Sequence, residues 1–96
     1  MNNVVFKYTL TSWHSVISMP QNAEVLSCGE QDGIIVVWAR VNPDAPLKNR
    51  VIRAVNTGEG LRNSDPACEA RFIGTVTMQN KLSKGMVWHI FDCGEV

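Results

Sequence analysis

Ninety-six residues carry nine basic and nine acidic side chains, so the formal net charge is zero. That balance argues against a binder of duplex nucleic acid, which needs a clear basic excess, and against a membrane-surface protein. The length suits one domain, residues 1–96, with a single core, and no apolar stretch approaches the ~20 residues that span a bilayer.

The opening MNNVVFKYTL has no basic segment followed by a long apolar one, so no export signal is expected. Val4–Leu10 alternates, with Phe6, Tyr8 and Leu10 on one side and Val5, Lys7 and Thr9 on the other. Thr11-Ser12 reads as a turn, and His14–Ser18 as a short strand stopped by Pro20-Gln21-Asn22. Ala23–Glu30 and Ile34–Val41 flank Asp32-Gly33, which supplies the positive φ angles of a tight hairpin turn. Prolines 43 and 46 break the chain, since neither can donate to a ladder. Asn49–Thr57 is a fifth strand, and residues 58–66 form the longest loop. Arg71–Gln79, a turn over Asn80–Gly85, and a strand over Met86–Asp92 complete the chain. The spacing therefore predicts an all-β domain, an antiparallel meander of about seven strands forming a small barrel or sandwich.

Ile34–Trp38 is apolar on both faces, and Met86–Phe91 nearly so. A chain this short has little to spare for a second covering layer, so a homo-oligomer is expected to cover them.

Arg40 shares a predicted face with Val36 and Trp38, Arg53 with Val51 and Val55, and Arg71 with Ile73 and Thr75. Arginine among apolar neighbours is a pattern for an anion pocket, because its fork holds phosphate by paired hydrogen bonds. The glycines of Asn56-Thr57-Gly58-Glu59-Gly60 can turn N–H groups toward one point as an anion nest, with Arg62 close by. Trp13, at a turn, is the better candidate to stack on a base, with Trp38 as the other. His89 offers a hydrogen bond to a ribose or base edge. The three cysteines, Cys28, Cys68 and Cys93, form no C-x-x-C pair, so free thiols and no metal site are expected. No nucleophile-elbow motif and no paired carboxylates are evident, which favours a non-enzymatic binder without a cofactor.

The order Lys7-Tyr8-x-Leu10, Met19-Pro20-x-x-Ala23-x-x-Leu26-Ser27, Asp32-Gly33, Trp38-Ala39-x-Val41-x-Pro43, Thr57-Gly58, Phe72-Ile73-Gly74-Thr75 and Val87-Trp88-His89-Ile90-Phe91 resembles a family of small tailed-phage and prophage proteins of unknown function. Members of that family often read Gly-Thr-Gly-His-Pro at the long loop, where this chain has a carboxylate, Glu59, in place of the histidine. The resemblance implies a viral origin and the host cytoplasm. By analogy of size and setting, it implies an anti-defence protein that sequesters a nucleotide-derived immune signal, a cyclic oligonucleotide or an ADP-ribose derivative, without turnover. The alternative is a phage accessory protein that binds another protein through a β edge or an apolar sheet face.

Overall fold

The computed structural model describes residues 3–79, 81–82 and 84–96. All seven predicted strands are present: β1 Val4–Thr9, β2 His14–Pro20, β3 Glu24–Gln31, β4 Ile34–Val41, β5 Leu47–Asn56, β6 Arg71–Thr77 and β7 Val87–Glu95. One short 3-10 helix, Pro66–Glu69, sits in the long loop. Asn80 and Ser83, in the predicted turn between β6 and β7, lie outside the described residues. Among the described residues no helix is long and apolar enough to cross a membrane.

The strands form two antiparallel sheets, β1-β4-β3 and β2-β5-β7-β6, packed as a sandwich and not closed into a barrel. Neighbours in sequence pair only within the hairpins β3–β4 and β6–β7, so the path is no simple up-and-down meander. The chain changes sheet after β1, after β2 and after β4. The β3–β4 hairpin forms as the sequence predicts: Asp32 and Gly33 take φ of 53° and 81° between the paired Gln31 and Ile34. Those two angles match the right-handed twist of the flanking strands.

The core lies between the sheets. Val25, Val37, Ala39 and Val41 of the smaller sheet meet Ile52, Ala54, Val76 and Ile90 of the larger. Each of the larger side chains contributes about 1.5–3 kcal/mol on burial.

The outer faces are covered in part by the chain itself. On the larger sheet the long loop and its 3-10 helix pack against β5 and β7, so the outward Val51, Arg53 and Val55 are all buried. On the smaller sheet Lys7 Nζ donates to Gln31 Oε1 across β4 at 2.7 Å, and the Trp38 ring lies against Gly29. Val36 on that face is buried as a result. A loop and two long side chains thus cover part of these strands from within the chain, while Ile34, Phe72 and Met86 stay exposed.

Two bulges matter for the site. Pairing slips between Phe72 and Gly74 in β6, and between Val25 and Ser27 in β3. A one-residue slip moves every later side chain to the other face. Arg71 thus pairs with Asp92 and points between the sheets, whereas Thr75 pairs with His89 on the outer face. Simple alternation had placed Arg71 and Thr75 together.

Candidate functional site

β5 carries two arginines three residues apart, and an odd spacing in a strand sends them to opposite faces. Arg50 faces inward and Arg53 outward, and both are buried.

Arg53 is the hub of the outer face. Its Nη1 donates to Ala54 O at 2.6 Å, its Nη2 to Glu59 Oε2 at 2.8 Å and to Asp65 Oδ2 at 3.0 Å, and its Nε also reaches Asp65 at 3.3 Å. Burial opposes the guanidinium charge, but Asp65 and Glu59 outweigh it and raise the pKa. The bond from Arg53, helped by the Asn56 N–H, holds the Glu59 carboxyl below its ordinary range. Arg53 and the Ala67 N–H do the same for Asp65, which also caps the 3-10 helix. The guanidinium carbon stands 4.6 Å from the centroid of the Trp13 ring, within cation–π distance.

Trp13 links this hub to a hollow. Where the β1–β2 connection, the β3–β4 turn and the β6–β7 turn meet, Leu10, Trp13, Ile34, Ala54, Met86 and Trp88 help to wall an open hollow of about 310 Å³. Trp13 is 57% exposed and Ile34 47%. The lining is mostly carbon and sulfur, with the hydroxyls of Thr11 and Ser12 at one edge.

The residues expected to hold a ligand are therefore divided. Arg53, Trp13, Thr57 and His89 come together around the outer face of the larger sheet. His89 sits between two hydroxyls, Thr57 Oγ1 at 2.7 Å from Nε2 and Thr75 Oγ1 at 3.1 Å from Nδ1. Arg40 lies on the far sheet, paired with Glu24 beside a polar recess of about 250 Å³. Arg71 donates to Val25 O at 2.9 Å, 3.9 Å from Asp92. Arg62 is exposed on the loop, where its carbonyl accepts from Asp65 N and Cys68 Sγ. Trp38 packs on Gly29, away from the hollow. Among the described residues no common pocket gathers Arg40, Arg53 and Arg71: Arg40 pairs with Glu24, Arg53 with Glu59 and Asp65, and Arg71 lies 3.9 Å from the Asp92 carboxylate that Arg50 holds. A buried or half-buried charge needs such a partner.

Part of the expected anion nest is engaged within the chain. Gly58 does take positive φ, 84°. However, Glu59 N closes a turn onto Asn56 O at 3.1 Å, and Thr57 N is directed at Val87 O at 3.4 Å. The Glu59 carboxylate then accepts from Asn56 N at 3.1 Å. Acceptors within the chain thus take the N–H groups of Asn56, Thr57 and Glu59.

Two cysteines are shielded. Burial first, then Asp92 and Asp65, push the Cys93 thiol up to about 11, and burial raises Cys28. Among the described residues no group of three or more His, Cys, Asp or Glu side chains is arranged to hold a metal ion.

One protein family, described as a domain of unknown function and designated DUF7352, matches residues 1–95. The chain belongs to that family. No curated protein and no solved structure matches it.

In this member of DUF7352 the residue that sequence reasoning passed over is Arg50. It donates to Asp92 Oδ2 at 2.7 Å and to Ala23 O at 2.6 Å, inside the sandwich. The signal was available: a second arginine at odd spacing in a predicted strand must face the opposite way from Arg53. The hollow was not available, since its walls come from five separate stretches of chain.

Proposed function

We propose that this domain is a non-catalytic binding protein that takes a planar, largely apolar group into the hollow at the open end of the sandwich, with Trp13 as its stacking surface. The observation that carries the reading is the coupling of Trp13 to Arg53. The indole lines the hollow while its ring is held by a guanidinium that Glu59, Asp65 and Ala54 fix in turn. A platform held in place before the ligand arrives loses less entropy on binding. A nucleobase is the ligand class favoured, because a base stacks on an aromatic face for about 1–3 kcal/mol. The hollow speaks to the base and not to phosphates. Sequestration of a nucleotide-derived immune signal is the biological use that the phage resemblance adds to this reading.

The test is binding of a panel of nucleosides, cyclic oligonucleotides and ADP-ribose derivatives, followed by heat denaturation and analysis of the released compound. Binding with intact release, weakened about tenfold or more by Trp13→Ala, supports the proposal. A panel that neither binds nor competes removes it, and a cleaved product makes the protein an enzyme.

A second reading has its own observation. Exposed Trp13, Ile34 and Met86 stand together at the rim, and Leu82 on the neighbouring turn is fully exposed. Such a cluster also suits an apolar side chain of another protein. Substituting Leu82→Ser distinguishes the two, since it weakens a protein partner spread across the rim and leaves a base inside the hollow unaffected.

A further inference from the structure

Each sheet of an open sandwich ends in strands whose outer N–H and C=O groups need management. Three of the edge strands here are blunted. β2 is capped at its ends, by Pro20 and by the N–H of His14 directed at Ser12 Oγ at 3.2 Å, which leaves only Val16 and Ser18 open between them. β3 and β6 each carry a bulge and lie beside one another, joined by the bond from Arg71 to Val25 O and by Gln79 N donating to Glu30 Oε1 at 3.2 Å. β1 differs. Among the described residues it runs from Val4 to Thr9 in unbroken register against β4, without proline or bulge. Val5 and Phe6 on it are 57% and 43% exposed.

The direction of its free groups follows from one bond. Leu10 N donates to Ile35 O at 2.9 Å, so Leu10 turns toward β4. Alternation turns Tyr8, Phe6 and Val4 the same way and leaves the N–H and C=O of Val5, Lys7 and Thr9 pointing off the sheet.

From this edge we infer that two copies of the chain pair through β1, antiparallel about a two-fold axis at Phe6. In that register Val5 faces Lys7 of the second copy, Lys7 faces Val5, and each such pair exchanges two N–H···O bonds. Phe6 meets its own counterpart in the closer, non-hydrogen-bonded pair, where aromatic side chains interact well. Lys7, the one charge on the strand, lies opposite an apolar residue. Centring the axis on Lys7 would set two ammonium groups face to face, which disfavours that register. The contact is isologous and closes on itself, and it joins the three-stranded sheets of two copies into one of six strands. A net charge of zero offers little repulsion to the approach. This pairing is independent of what fills the hollow.

The experiment is sedimentation of the full chain from micromolar to millimolar concentration, with two variants. The wild type should reach twice the 10.7 kDa chain mass. Val5→Pro removes an outward N–H without touching the β1–β4 ladder, and should stay monomeric with an unchanged circular-dichroism spectrum. Phe6→Cys should form, on mild oxidation, an intermolecular disulfide that peptide mapping places at residue 6. A wild type that is monomeric throughout overturns the inference. So does a dimer that persists in Val5→Pro and yields no residue-6 cross-link in Phe6→Cys.

Discussion

Replacing Arg53 by methionine tests the central claim about the site, that this arginine supports Trp13 and the long loop and does not itself hold a ligand. Methionine keeps the length and apolar stem while removing the charge. Three kinds of interaction go with the guanidinium. The ion-paired bonds to Glu59 and Asp65 are worth about 1 kcal/mol each here, the upper value for exposed ion pairs, because their side chains are 32% and 16% exposed and can return to water. The Ala54 carbonyl loses a donor, for about 1 kcal/mol, and the contact with Trp13 adds about 0.5–1. Relief from burying a cation offsets part of this. The net expectation is a loss of about 2 kcal/mol, a fall of roughly 8–16 °C in Tm for a domain this small. Urea unfolding at neutral pH measures it. Adding Glu59→Gln and Asp65→Asn should recover part of the loss, since the two carboxylates then no longer repel one another. The same variant separates two roles in binding. If Arg53 props the indole, nucleosides and nucleotides weaken together. If it grips phosphate, only the nucleotides weaken. A stability change under about 0.5 kcal/mol, the size of an ordinary surface substitution, refutes the supporting role.

The buried Arg50–Asp92 pair should behave asymmetrically. Asp92→Ala alone leaves an inward guanidinium with only the Glu95 carboxylate, 3.9 Å away, and should cost about 3–5 kcal/mol, whereas Arg50→Met with Asp92→Leu should cost clearly less in the same urea titration, its remaining loss coming from Ala23 O and Gly94 N. Because Glu59 and Asp65 titrate below their ordinary values, their contribution is complete above pH about 4 and is lost as pH falls through the lowered folded values. Acid unfolding followed by fluorescence should therefore show a steeper loss below pH 4 in wild type than in Arg53→Met. Finally, a Cβ at position 74 would lie 2.9 Å from Cys28 Sγ, so Gly74→Ala should destabilise by about 1–3 kcal/mol, and Cys28→Ala should relieve most of that in a paired thermal melt.

How much of this was legible in the chain depends on the range of the interaction concerned. Strand identity and the hairpin turn are local matters: alternation, Asp32-Gly33 and the prolines act through residues one to four positions apart, and the strands appear where those signals put them. The outward direction of Arg40 beside Val36 and Trp38, and of Arg53 beside Val51 and Val55, follows from the same period of two. Arg71 escaped because a bulge at residue 73 breaks that period, and nothing local to Phe72-Ile73-Gly74 distinguishes a bulged from a regular pairing. The sorting of strands into two sheets, the loop laid over β5 and β7, and most of the carboxylates found by the arginines depend on residues far apart in sequence. Arg53 meets Asp65, Arg50 meets Asp92 and Arg71 reaches Val25 only once the sandwich closes. The amino-acid order thus dictated an antiparallel β domain and the faces of most of its strands, because backbone sterics and hydrophobic alternation are short-range. Only the tertiary structure decided that Arg40, Arg53 and Arg71 each meet a different carboxylate while Trp13 stands over an apolar hollow, because burying a charge compels a partner without saying which one.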